Sequence, residues 1–227
     1  MTMPFYVPPE QVMKDRADYA RKGIARGRSL IALTAAEGIV MVAENPSRTL
    51  YKISEIYDRI AFAGVGKYNE FEMLRIAGVR QADVKGYSFA REDVNARSLA
   101  NAYAQTLGQV FTHELKPYEV EILVAQVGAA PTDDEMFQIL YDGVVNDQEG
   151  YAVLGGQADA VRTLLESRYQ EGLDLAAAVK LGASTVGGED GEALAADQLE
   201  VAILDRRRPR RAFHRVRGSE LDGFLAS

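Results

Sequence analysis

The sequence has no cysteine. That excludes disulfides, thiolate zinc sites and cysteine nucleophiles, and it suits a reducing compartment. Histidine is nearly as scarce. His113 and His214 are the only two, they lie far apart, and no HExxH spacing occurs, so neither a metal nor a cofactor is expected. His113 falls near the end of a predicted helix, where an imidazolium suits the dipole. A run of about 18 apolar residues is also missing, which argues against a membrane span. The first ten residues lack the basic start and apolar stretch of a signal peptide. Asn45-Pro46-Ser47 fails as a glycosylation acceptor because proline stands in the middle. Positive charge is not in excess: 26 Lys and Arg against 33 Asp and Glu leave a net charge of −7, and broad nucleic-acid binding needs a cationic footprint. Walker A and G-x-S-x-G motifs are absent. A cytoplasmic protein is the expectation.

What is present is an ordinary mix, 227 residues and 47% hydrophobic, enough to bury roughly 70% of the unfolded surface in one domain. Residues 1–9 are apolar and broken by Pro4, Pro8 and Pro9. Pro9 can open a helix at its first turn. Met13, Ala17 and Ala20 stripe that helix over residues 9–22, and Gly23 can end it. Strand-like runs at 29–35 and 38–43 flank Ala36-Glu37 as a tight hairpin, with another run at 59–65. Helical spacing at 68–77 stops at Gly78. A longer helix, 96–113, carries Leu99, Tyr103, Leu107 and Phe111, and Pro117 bars its continuation. Residues 119–127 alternate, with Val120, Ile122 and Val124 on one face and Glu119 and Glu121 on the other. Strands follow at 136–141 and 151–154, then helices carrying Val161, Leu164, Leu165 and Tyr169 and spanning 174–184. An acidic loop occupies 187–197. Strands at 199–204 and 212–216 and a short helix at 219–225 close the chain. Hairpin-grouped strands with helices segregated from them predict an α+β layered sandwich.

Three features bear on chemistry. Gly64-Val65-Gly66 is half a dinucleotide fingerprint, with Asn69 in place of the third glycine; the simpler reading is a tight strand-to-helix turn. Arg206, Arg207, Arg208, Arg210 and Arg211 surround Pro209. They read as a solvated turn between two late strands, discouraging edge pairing, with the acidic loop (Glu189, Asp190, Glu192, Asp197) able to neutralise them. Thr34 and Thr185 are hydroxyls with no base nearby in sequence.

Longer stretches carry more information. Arg21-Lys22-Gly23-Ile24-Ala25-Arg26, Val42-Ala43-Glu44-Asn45-Pro46-Ser47-Arg48 and Lys52-Ile53-Ser54-Glu55-Ile56-Tyr57-Asp58-Arg59 resemble the α-type subunit of the actinobacterial proteasome core. So do residues 99–108, Lys116-Pro117-Tyr118-Glu119-Val120, Leu199-Glu200-Val201-Ala202 and Pro209-Arg210-Arg211-Ala212-Phe213. The likeness runs along nearly the whole chain.

The resemblance implies a four-layer αββα sandwich of the N-terminal-nucleophile hydrolase type, with a gating segment at 1–9, a first helix at 9–22 and the sandwich over 24–227. It implies heptameric outer rings that cap catalytic β rings, admit polypeptide substrates in transit and receive the C-terminal tail of a ring-shaped AAA ATPase. Active members of the fold use a threonine at a freed N-terminus. Here that position aligns with Arg28, after Gly27, and arginine has no nucleophilic oxygen. Ser29 is one place off and sits mid-chain. No catalytic residue is therefore expected on this chain. By position, the gate is Met1, Thr2, Met3, Pro4, Phe5, Tyr6, Val7, Pro8 and Pro9. The Tyr-Asp-Arg motif of archaeal and eukaryotic gates is absent, so their closed-gate contacts do not carry over. Lys52 matches the lysine of the activator-docking pocket, with Arg26 and Gly27 beside it, and an ammonium facing a chain-terminal carboxylate is a charge-assisted contact. The alternatives are an autoprocessed threonine or serine hydrolase of the same fold, which requires a cleavable Gly-Thr junction, and a binding module unrelated to proteasomes.

Overall fold

The computed structural model describes residues 8–187 and 194–226. Helix α1 (Pro9–Ile24) leads into a hairpin of β1 (Leu30–Ala35) and β2 (Gly38–Glu44), then β3 (Ile53–Tyr57) and β4 (Ile60–Gly66). Helices α2 (Tyr68–Ser88) and α3 (Ala96–His113) follow, then β5 (Val120–Gln126), β6 (Glu135–Ile139), β7 (Val145–Asp147) and β8 (Tyr151–Leu154). Helices α4 (Ala158–Arg168) and α5 (Leu175–Thr185), strands β9 (Leu199–Asp205) and β10 (Phe213–Val216), and helix α6 (Ser219–Ala226) complete the described chain. The strands form two antiparallel five-stranded sheets, ordered β10-β9-β2-β1-β8 and β3-β4-β5-β6-β7.

Three apolar layers hold the four-layer sandwich together. Leu30, Met41, Leu123, Ala125 and Leu204 lie between the sheets. Ile31, Val40, Val42 and Val201 face outward from the first sheet onto Val161 and Leu165 of α4 and Val179 of α5. Phe62, Ile122, Val124 and Phe137 face outward from the second onto Phe71, Leu74, Leu99, Tyr103 and Leu107 of α2 and α3. Central strands buried on both faces explain why the alternation in β5 is not apolar against solvent: Glu121 itself is only 8% exposed. Burying side chains of this size contributes about 1.5–3 kcal/mol each.

The hairpin, α3 and the later helices lie where periodicity places them. Two strands were not foreseen: β3, whose register shifts between Glu55 and Tyr57, and three-residue β7. Both are edge strands, where alternation is weakest. Gly78 does not stop the second helix, which runs on to Ser88. A side-chain carbon at Gly78 would sit 1.7 Å from the Tyr103 hydroxyl, so glycine is there to let α3 approach, at a propensity cost of about 1 kcal/mol. Gly66 does serve the tight turn, with φ +105° between β4 and α2. Met13 is exposed on α1, whereas Ala20 and Ile24 pack with Ala17 against Phe111 and Tyr141. The arginine run turns between β9 and β10, but it is not uniformly solvated. Arg206 is 9% exposed and forks onto Asp134. Arg207 pairs with Asp205 and Arg211 with Glu55. The proposed neutralising loop falls largely on 188–193, outside the described residues, as do residues 1–7 of the expected gate. No helix among the described residues is long and apolar enough to cross a membrane.

Candidate functional site

The sandwich end at which β1 begins and β2 and β4 finish collects the candidate residues. Helix α1 is fixed across it. Pro8 and Pro9 launch the helix. Arg16 donates to the carbonyls of Phe111 (2.7 Å), Val110 (3.2 Å) and Glu114 (2.6 Å). A guanidinium on the open carbonyls of a helix C-terminus satisfies orphan acceptors and complements the dipole. Residues 25–29 then carry the chain into β1. Arg28 is ion-paired with Glu44 through its guanidinium, and Ser29 is buried at 3% exposure. Neither offers a nucleophile with an adjacent base.

Lys52, at the start of β3, reaches back so that its Nζ donates to the Arg28 carbonyl at 2.7 Å. Burial depresses its pKa from 10.5 to about 8, against the raising fields of Glu200 and Glu44 and with a further lowering by Arg28. Arg26 and Gly27 line a neighbouring hollow of about 420 Å³ with Tyr19, Gly23, Gly66, Lys67 and Glu119. Lys52 does not line that hollow; its ammonium meets the carbonyl of Arg28, the residue that follows Gly27. Pro8 and Pro9 are exposed at the α1 start.

Three supporting groups were not foreseen. Glu200 on β9 accepts from Asn45 Nδ2 (2.7 Å) and from the backbone N–H groups of Lys52 (2.8 Å) and Ile53 (3.0 Å), and it pairs with Arg215. Glu70, buried at 4%, accepts from Lys116 Nζ (2.8 Å) and Glu119 N (2.7 Å). Lys116 also bridges to Glu119 at 2.9 Å. For Glu200 a signal existed: it is the one acid inside an otherwise apolar strand run. Among the described residues no cluster of side chains is arranged to hold a metal.

The description "Proteasome subunit" belongs to the family model that matches residues 24–204. The chain is 60% identical to the "Proteasome subunit alpha" of Sanguibacter keddieii over 231 residues, covering 100% of this chain and 91% of that protein. It is 60% identical to that of Xylanimonas cellulosilytica (97% and 95% covered) and 57% identical to that of Kineococcus radiotolerans (100% and 99%). With the two packed sheets and their flanking helices, these matches show that the chain belongs to the proteasome subunit family, alongside subunits named alpha.

Proposed function

We propose that this chain is a non-catalytic, structural and gating α subunit of a proteasome core. Seven copies form an outer ring that controls substrate entry to β rings bearing the threonine nucleophiles. The single observation that supports this most is the built start of the sandwich: the position of a freed N-terminal nucleophile is Arg28, tied to Glu44, with the chain continuing into a helix anchored by Arg16. Residues 1–9, which lead into α1 through the exposed Pro8 and Pro9, form the gate.

The half-buried Lys52 ammonium, held at the Arg28 carbonyl, is the carboxylate receptor for an ATPase tail, with the Arg26 and Gly27 hollow beside it taking the residues that precede the terminus. A closed head-to-tail interface makes a ring. Exposed Val12, Met13 and Tyr19 of α1 and the fully exposed Leu115 nearby supply apolar surface for a neighbour.

Native mass spectrometry of the chain alone and mixed with its β partner tests the reading. The expected result is a particle built on sevenfold rings, with peptidase activity only when β is present. A persistent monomer with its own hydrolytic activity, or a mass lacking everything up to Gly27, overturns it in favour of the processed hydrolase.

A further inference from the structure

We propose that Glu200 is a positioning residue of the Lys52 site: one buried carboxylate grips the strand start that presents the ammonium, and its charge governs how readily that ammonium receives a carboxylate. The inference rests on the reading of Lys52 as the tail receptor.

The geometry is specific. Glu200 lies on β9 of the first sheet, yet it accepts from two consecutive backbone N–H groups, Lys52 and Ile53, where β3 of the second sheet begins. It also holds Asn45, at the other end of the β2–β3 connection. Asn45 Nδ2 donates in addition to the Leu50 carbonyl at 2.7 Å, so both ends of the connection are gathered on one carboxylate. Arg215 on β10 completes the clasp. It pairs with Glu200, donates to the Ile53 carbonyl at 2.6 Å and lies 4.1 Å from the Tyr51 ring centre. A carboxylate saturated in this way is stiff, because each charge-assisted bond is stronger than a neutral one.

The same arrangement places charge. The charged groups acting on Lys52 are Glu200, Glu44 at the end of β2, and Arg28 before β1, with Arg215 standing behind Glu200. Glu44 is compensated by Arg28 and Glu200 by Arg215. Nearby negative charge favours the charged form of an ammonium desolvated against the protein. A neutral residue in place of Glu200 could keep backbone contacts but not this field.

The test uses the assembled α–β particle. Trace acetylation of lysines across about pH 6–11, read residue by residue by mass spectrometry, gives the midpoint at which Lys52 becomes reactive. In Glu200→Gln that midpoint falls by about half a unit or more; in Arg215→Gln, which leaves the Glu200 charge uncompensated, it rises. Opposite shifts support the proposal, whereas a packing role alone moves neither midpoint. An unmoved midpoint in Glu200→Gln overturns it, and should that variant not fold, an unmoved or lowered midpoint in Arg215→Gln does so. Binding of a decapeptide with a free C-terminal carboxylate, against its C-terminal amide, is measured in parallel. Affinity that tracks the Lys52 midpoint across variants supports the proposal. Midpoints that shift while acid and amide bind alike overturn the docking reading and spare the Glu200–Lys52 coupling, so the two failures are distinguishable.

Discussion

Strand β9 carries a charge at each end that clasps the opposite sheet, and the two ends differ. Just past its C-terminus, Arg206 donates to both oxygens of Asp134 (2.8 and 2.9 Å) and to the carbonyls of Ala35, Ala36 and Gly128. Every donor direction faces an acceptor of the fold, and nothing remains for a ligand. Near its N-terminus, Glu200 is equally saturated, but beside it stands Lys52, whose ammonium has one hydrogen-bond partner among the described residues, a carbonyl, and is disfavoured by burial. The Arg206 end is a closed fastening. The Glu200 end is fastened too, but it leaves one cation incompletely served. A charge kept against the interest of stability is what the proposed tail-receptor role of Lys52 requires.

The contrast yields four tests. Arg206→Ala leaves Asp134, 3% exposed, as an unpaired buried charge and should destabilise the fold by about 3–5 kcal/mol in chemical denaturation. Lys52→Met should do the opposite, raising stability by about 1–2 kcal/mol while abolishing ATPase-dependent degradation and sparing peptide hydrolysis by the assembled particle. A loss of stability on that change would make Lys52 a structural residue and erase the difference between the ends. The third test is pH. The folded-state pKa of Lys52 lies below its unfolded value, so its charge burdens the fold fully below about pH 8 and less as pH rises toward 10.5. The proposed carboxylate capture should run the other way, strongest well below pH 8 and fading above it, as read by tail-peptide binding. The smallest effect is expected far from both ends. The Tyr103 hydroxyl is buried without a partner among the described residues, so Tyr103→Phe should stabilise by about 1 kcal/mol in a thermal melt.

The fold was legible where local rules and tertiary demands agree. Pro9 opening α1, the Ala36-Glu37 turn, and the four-residue spacing of Leu99, Tyr103 and Leu107 all reappear as structure. Gly78 was illegible because the reason for a glycine there is a tyrosine 25 positions later in the chain. Strand β3 was illegible because an edge strand with a register shift has no clean alternation. At the candidate site, Lys52, Gly27 and Arg26 are named by resemblance alone. Periodicity marks Lys52 as no more than a lysine at a strand end, and the two neighbours prove to line a hollow that Lys52 itself does not enter.

By itself the sequence determined the class of protein: no cysteine and only two histidines, no threonine at the position after Gly27, a layered α+β pattern, and a family likeness spread along the chain. Those are properties of composition and of short spacings, which survive without coordinates. Only the tertiary structure decided that Glu200 on β9 and Arg206 just past its end, six residues apart, reach across to the second sheet at opposite ends of the sandwich. It also decided that Lys52 meets the carbonyl of a residue 24 places earlier. Burial and long-range pairing set the charge on a side chain, and neither is written in the residues next to it.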